Sequence, residues 1–122
     1  MGTRSLTYVY TDHLNEPMPV VCMYRHYDGY PSGHGAELAT FLKNADYVDI
    51  MCLAASMVSH FKKLPYNYYL YPVNLDQDCW QDYEYHVYDK TVKVTTKQQK
   101  DILFDGVWSD FEEFCVMQHS NG

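Results

Sequence analysis

Positive charge, export signals and long apolar runs are what this sequence has least of, and each shortage excludes something. Lysine and arginine number 9 against 16 aspartates and glutamates, giving a formal net charge of -7 and a pI near 5.1. Sequence-independent binding to DNA or RNA needs clustered cations that displace counterions, so no direct nucleic-acid binding is expected. No apolar run approaches the roughly 20 residues of a membrane-crossing helix, so no membrane role is expected. The opening MGTRSLTYVY has neither a continuous apolar core nor a small-residue cleavage site, and no export signal is read there. Leu6 stands where N-myristoylation needs serine or threonine. Cysteines are few: Cys22, Cys52, Cys79 and Cys115 are spread along the chain with no C-x-x-C pair. Reduced, mostly buried thiols in a cytoplasmic protein are the expectation.

What is present is the composition of one folded domain over residues 1–122, with 47% hydrophobic and 20% charged residues. Tyrosine is the outlier, at 13 against 5 phenylalanines and 2 tryptophans. Tyrosine favours strands and joins an apolar ring to a polar tip. A tyrosine-rich sheet face serves ligand stacking, partner contact or simply a half-exposed surface, and composition does not choose among them.

No internal repeat or linker interrupts the chain. SLTYVYT (Ser5 to Thr11) alternates as a strand, Asn15 and Pro17 mark a turn, and PVVCMYRHY (Pro19 to Tyr27) reads as a second, central strand. These two are expected to form a hairpin. GAELATFLKN carries Leu38, Phe41 and Leu42 at helical spacing up to Asn44. Asp46 is placed to cap a second helix running to Leu64, with Ile50, Leu53, Met57, Val58 and Phe61 inward and Ala54, Ala55 and Ser56 allowing close approach. A third strand is expected over Asn67 to Leu75. YEYHVYD and TVKVTTK then form a hairpin around Asp89-Lys90, with Tyr83, Tyr85 and Val87 on one face and Glu84, His86 and Tyr88 on the other. The short apolar DILFDG leads to a last helix, for which Ser109 and Glu112 have capping-box spacing ahead of Phe111, Phe114 and Met117. The order implies an α+β two-layer sandwich: an antiparallel or mixed sheet of about five strands with about three helices on one face.

Chemistry-bearing residues concentrate where the second strand enters the first helix, in YRHYDGYPSGHGAEL (Tyr24 to Leu38). Strand alternation sends Arg25 and His26 to opposite faces, and Asp28-Gly29 makes a turn in which the glycine is free to take positive φ. Ser32 can cap the helix, or Gly33 to Gly35 can leave amides pointing outward. Such amides beside Arg25 would make an anion site for phosphate or carboxylate. The candidate ligand-binding set is Arg25, His26, Asp28, Tyr30, Ser32, Gly33, His34 and Gly35. GYPSGHG matches neither the dinucleotide fingerprint nor a Walker loop, and the same residues also suit a plain sharp turn.

Other chemistry is weaker. His26, Asp28 and His34, joined by His60 or His86, have metal-ligand types without a known spacing, so no metal and no cofactor is assigned. Asp76, Asp78 and Asp82 lack the central glycine and terminal glutamate of a calcium loop. Ser32, His34 and Asp28 have the residue types of a triad, and Asp28 with Glu37 those of an acid–base pair, without evidence of geometry.

The runs YRHYDGYPSGHGAELATFL, MCLAASMVSHFK and YLYPV…YEYHVYD resemble a family of small, functionally uncharacterised phage and bacterial proteins. The resemblance spans about Tyr24 to Asp89 and centres on R-H-Y-D-G-Y-P. It implies a phage accessory protein in the host bacterial cytosol and carries no activity. In that setting the first expectation is a non-enzymatic binder of a phosphorylated small ligand, a nucleotide or nucleotide-derived signal. Arg25 and Ser32 to Gly35 would hold the phosphate while Tyr27 or Tyr30 stacks on the base. The second is an acidic protein-interaction module or inhibitor whose Asp76–Asp89 and Asp101–Glu113 carboxylates mimic nucleic acid toward a host protein. A small hydrolase using the same loop is the third. Oligomeric state is left open.

Overall fold

The computed structural model describes residues 3–11, 17–63, 67–74 and 78–121, with 119–121 as backbone alone. Six strands form one mixed sheet in the order β3-β2-β1-β4-β5-β6, comprising β1 (Ser5–Tyr10), β2 (Pro19–Arg25), β3 (Tyr68–Leu70), β4 (Tyr83–Val87), β5 (Thr91–Thr96) and β6 (Ile102–Val107). Every neighbouring pair is antiparallel except β1 and β4, which run parallel with Thr7 opposite Tyr85. Two three-stranded antiparallel units thus meet along one parallel seam. Helices α1 (Ala36–Asn44), α2 (Ile50–Phe61) and α3 (Trp108–Asn121) supply core residues to one sheet face only. The α+β sandwich is as expected, with one strand more.

The extra strand is β6. Its apolar run, expected only to lead into the last helix, is a strand of its own. Pairing with β5 supplies the partner that local sequence cannot reveal, placing Asp105 opposite Lys93 and Phe104 opposite Val94.

The main core lies between sheet and helices. Leu38, Leu42, Ile50, Leu53, Met57, Phe61 and Phe111 meet Val9, Met23, Tyr85, Val87, Val92 and Val94 there. Val58 is half-buried, and Ala55, Ser56 and Met117 face solvent. A second cluster on the opposite face joins Leu6, Tyr8, Tyr10, Cys22 and Tyr24, with Tyr71, Cys79 and Tyr88 packed against it. Burial on both faces explains why all of β1 is inaccessible.

Several expected boundaries move. Asp49, not Asp46, caps α2, accepting the Cys52 amide at 2.9 Å. Helix α3 begins at Trp108, so Ser109 sits inside its first turn rather than capping it, and β6 runs straight into it. The third strand is confined to Tyr68–Leu70. The turn residue Asn15, the helix end at Leu64, and Leu75 and Asp76 lie outside the described residues.

Candidate functional site

The junction after β2 opens with Asp28, and this residue, not Gly29, takes the left-handed conformation, at φ 58. Gly29 serves by its small size: a Cβ there would lie 2.8 Å from the Ser5 Cβ and 2.9 Å from the backbone of Arg4. A single π-helical turn, Pro31–Gly35, then precedes α1. Such turns are rare and widen the helix by one residue. Here the widening sets His34 inward, while Gly35 lets the turn approach α3 and β4. A Cβ on Gly35 would meet the Cys115 sulfur at 3.0 Å and the Tyr85 ring at 3.3 Å.

The amides predicted to point outward are occupied. Gly33 N–H donates to the Tyr30 carbonyl (2.9 Å), His34 N–H to the Asp28 carbonyl (2.8 Å) and Gly35 N–H to the Tyr30 carbonyl (3.4 Å). The turn therefore satisfies its own donors, and backbone capture of an anion by these three groups is corrected accordingly. Ser32 is half-buried inside the same turn, whose N-cap is Tyr30, and so does not occupy the capping position expected of it.

Arg25 is also engaged. Its Nη1 donates to Glu37 Oε2 (2.8 Å) and to His34 Nδ1 (3.3 Å), its Nε donates to the Tyr27 carbonyl, and the guanidinium lies 5.2 Å from the Tyr68 ring centre. The Arg25 side chain is 8% exposed and that of Glu37 54%. A half-solvated pair of this kind stabilises by only about 0–1 kcal/mol. Arg25 matters more as a brace linking the end of β2, the turn and α1.

His34 stands at the centre, fully buried. A guanidinium only donates, so Nδ1 is the acceptor and Nε2 carries the hydrogen toward Thr7 Oγ1, 2.8 Å away. Burial first, and the adjacent Arg25 second, hold its pKa down at about 3. The ring is neutral at physiological pH and contacts Phe61, Tyr68 and Tyr85 at centroid distances of 5.2, 6.1 and 5.1 Å. Tyr85 in turn donates to the Gly29 carbonyl at 2.7 Å.

Of the predicted set, the fold therefore gathers Arg25, His34, Asp28, Gly33 and Tyr30 into one internally bonded corner. His26 turns to the other sheet face, where its Nδ1 lies 2.8 Å from the Tyr24 hydroxyl. Tyr30 lines a shallow cavity of 460 Å³ with Thr3, Tyr83, Thr96 and Leu103. The metal set does not converge: His34 has both ring nitrogens engaged, and His86 lies across the sheet. Among the described residues, no group of three or more metal-ligating side chains could hold an ion.

A second polar cluster, unanticipated as a unit, is buried on the far face. Glu84 Oε2 accepts from Gln81 Nε2 (2.9 Å) and from the Gln98 amide (2.8 Å), and Oε1 lies 3.5 Å from His86 Nε2. His86 Nδ1 meets the Tyr10 hydroxyl at 2.7 Å, and its ring stacks on Tyr8 at 5.3 Å. Burial opposes ionisation of Glu84, yet these donors hold its pKa below the usual carboxylate value. The carboxylate anchors the β5–β6 connection, whose Gln98 and Gln99 are both left-handed, at φ 56 and 60. The face partition of β4 was readable in sequence; the connection folding back to donate to Glu84 was not.

Three of the four thiols are unsuited to attack. Burial pushes Cys22 and Cys115 up to about 12 and Cys79 up to about 11.

The surface formed by β6 and α3 has the opposite character. Asp101, Asp105, Asp110 and Glu113 are exposed, and so are Ile102, Leu103, Val107, Val116 and Met117. Strand β6 is the last in the sheet order, so its outer edge is unpaired among the described residues. Comparison with protein-family models, curated proteins and solved structures finds no match.

Proposed function

We propose that the chain is an acidic, non-enzymatic protein-interaction module that docks a basic partner through β6 and α3. One observation carries this reading: exposed carboxylates and exposed apolar side chains interleave over a single continuous segment, from Asp101 to Met117. Apolar contacts supply affinity, and carboxylates steer and select a cationic partner. Of the four described carboxylates in the other acidic stretch, three are committed within the fold. Asp78 pairs with Lys97 at 2.7 Å, Glu84 is buried, and Asp89 accepts from Tyr47 at 2.6 Å.

The phosphorylated-ligand reading draws less support, because Arg25 and the turn amides already have internal partners. A hydrolase finds less still, with His34 held neutral between Thr7 and Arg25 and three thiols kept protonated.

The test is a salt-step elution. Immobilised chain should retain basic proteins from a bacterial lysate, and Asp105→Asn/Asp110→Asn/Glu113→Gln should release them at lower salt with an unchanged melting temperature. Identical elution from both forms would count against the reading. A melting temperature raised by a nucleotide would restore the ligand alternative.

A further inference from the structure

Resting on that interaction reading, we propose that the partner binds by strand addition, laying an extended, lysine- or arginine-bearing segment along the outer edge of β6. The phase of the ladder shows which groups are on offer. Trp108 N–H donates to the Lys90 carbonyl at 3.1 Å, one step beyond the Val107–Thr91 pair. In an antiparallel ladder, hydrogen-bonded pairs alternate with non-bonded ones. Gly106 and Phe104 therefore exchange bonds with Val92 and Val94 of β5. Leu103, Asp105 and Val107 turn their N–H and C=O groups outward.

That edge lacks the usual guards. Natural sheets blunt an edge strand with proline, lysine, a very short strand or a cover. Strand β6 has six residues, none of them proline or lysine. Its single charge is Asp105, and exposed Ile102 (62%), Leu103 (40%) and Val107 (44%) flank it. At the other end of the sheet, β3 has only three residues.

Charge selects the occupant. A second copy of this chain would bring its own Asp105, Asp101 and Asp110 toward the same groups, between molecules each carrying a net charge of -7. Like charges across a strand pair are destabilising. A strand with a cation opposite Asp105 gains both the backbone ladder and a cross-strand ion pair, while its alternate apolar residues meet Leu103 and Val107.

The full chain would be titrated with a short peptide that carries one lysine with a valine two residues to either side of it, with the same peptide N-methylated at the alternate residues whose N–H groups face β6, and with a counterpart in which glutamate replaces the lysine. Strand addition requires saturable binding of the first, at least roughly tenfold weaker binding of the N-methylated form because its backbone donors are gone, and none of the third. Asp105→Asn should weaken the first peptide while leaving the melting temperature unchanged. Equal affinity for parent and N-methylated peptides, or no binding of the parent, overturns the proposal. So does a concentration-dependent dimer that the lysine peptide disperses, which would assign the edge to a second copy. If the peptides fail while the salt-step elution still distinguishes the charge-neutralised chain, strand addition falls and the interaction reading stands.

Discussion

Acidification should cost the fold stability through His34 in a window well above ordinary acid denaturation, because the unfolded imidazole takes up a proton that the buried one excludes. Its pKa is about 6.5 unfolded and is lowered to about 3 in the fold. The native state thus binds fewer protons than the unfolded chain between those values. The stability it contributes is complete above pH 6.5 and is lost as pH falls toward 3. Integrated from pH 7 to pH 4, the loss is about 3 kcal/mol, since each pH unit inside the window contributes about 1.4 kcal/mol. For 122 residues, 1 kcal/mol corresponds to about 4 °C in melting temperature, so the fall is about 12 °C. The perturbation is His34→Gln, which keeps a donor for Thr7 and cannot titrate. Urea unfolding of both proteins at several pH values isolates the His34 contribution, because other groups, Glu84 included, cancel in the difference. The variant should be less stable at pH 7, and the gap should narrow by about 3 kcal/mol by pH 4. Parallel curves would refute the account of a neutral imidazole wedged between Thr7 and Arg25.

Gly33→Ala should destabilise by about 1–3 kcal/mol or prevent folding, because the added Cβ would fall 2.5 Å from the Asp28 carbonyl oxygen, a backbone atom with little freedom to move; a melting temperature within a degree of the parent would contradict the turn's geometry. Asp49→Ala removes the cap of α2 and should cost about 1 kcal/mol in chemical denaturation, whereas Asp46→Ala should cost nearly nothing. Under native conditions a thiol reagent should modify exposed Cys52 promptly and buried Cys22 and Cys115 only on unfolding; fast modification of all four would mean that the two buried sites open readily.

How far sequence could go depended on what each element's partner was. Helix α2 and the β4–β5 hairpin carry their own periodicity, and their inward faces follow from it. The hairpin turn is local too, with Lys90 taking φ 69. Strand β6 has no such pattern; only β5 alongside makes ILFDGV a strand. At the junction, one stretch of sequence carries Arg25, Asp28, Tyr30 and His34, and the fold turns their polar groups toward one another instead of outward. The glycines proved to mark places where backbone and ring atoms come close, a requirement set by β1, β4 and α3 that no local motif encodes. The Glu84 cluster hid for a similar reason, since its donors come from Gln81 and from a left-handed connection beyond β5.

The parallel seam between β1 and β4 bears on how the chain reaches its native state. The β1–β2 hairpin and the β4–β5–β6 unit are each built from nearby residues, yet Met23 must find Leu70 to add β3, and Thr7 must find Tyr85 across about 80 residues of chain. Closing so long a loop is slow relative to forming hairpins. Two preformed halves, zipped together late by His34 and Tyr85 under the seam, are therefore the expected route. Hydrogen exchange during refolding should then protect Val94 before Tyr8, whose N–H lies on the side of β1 that faces β4.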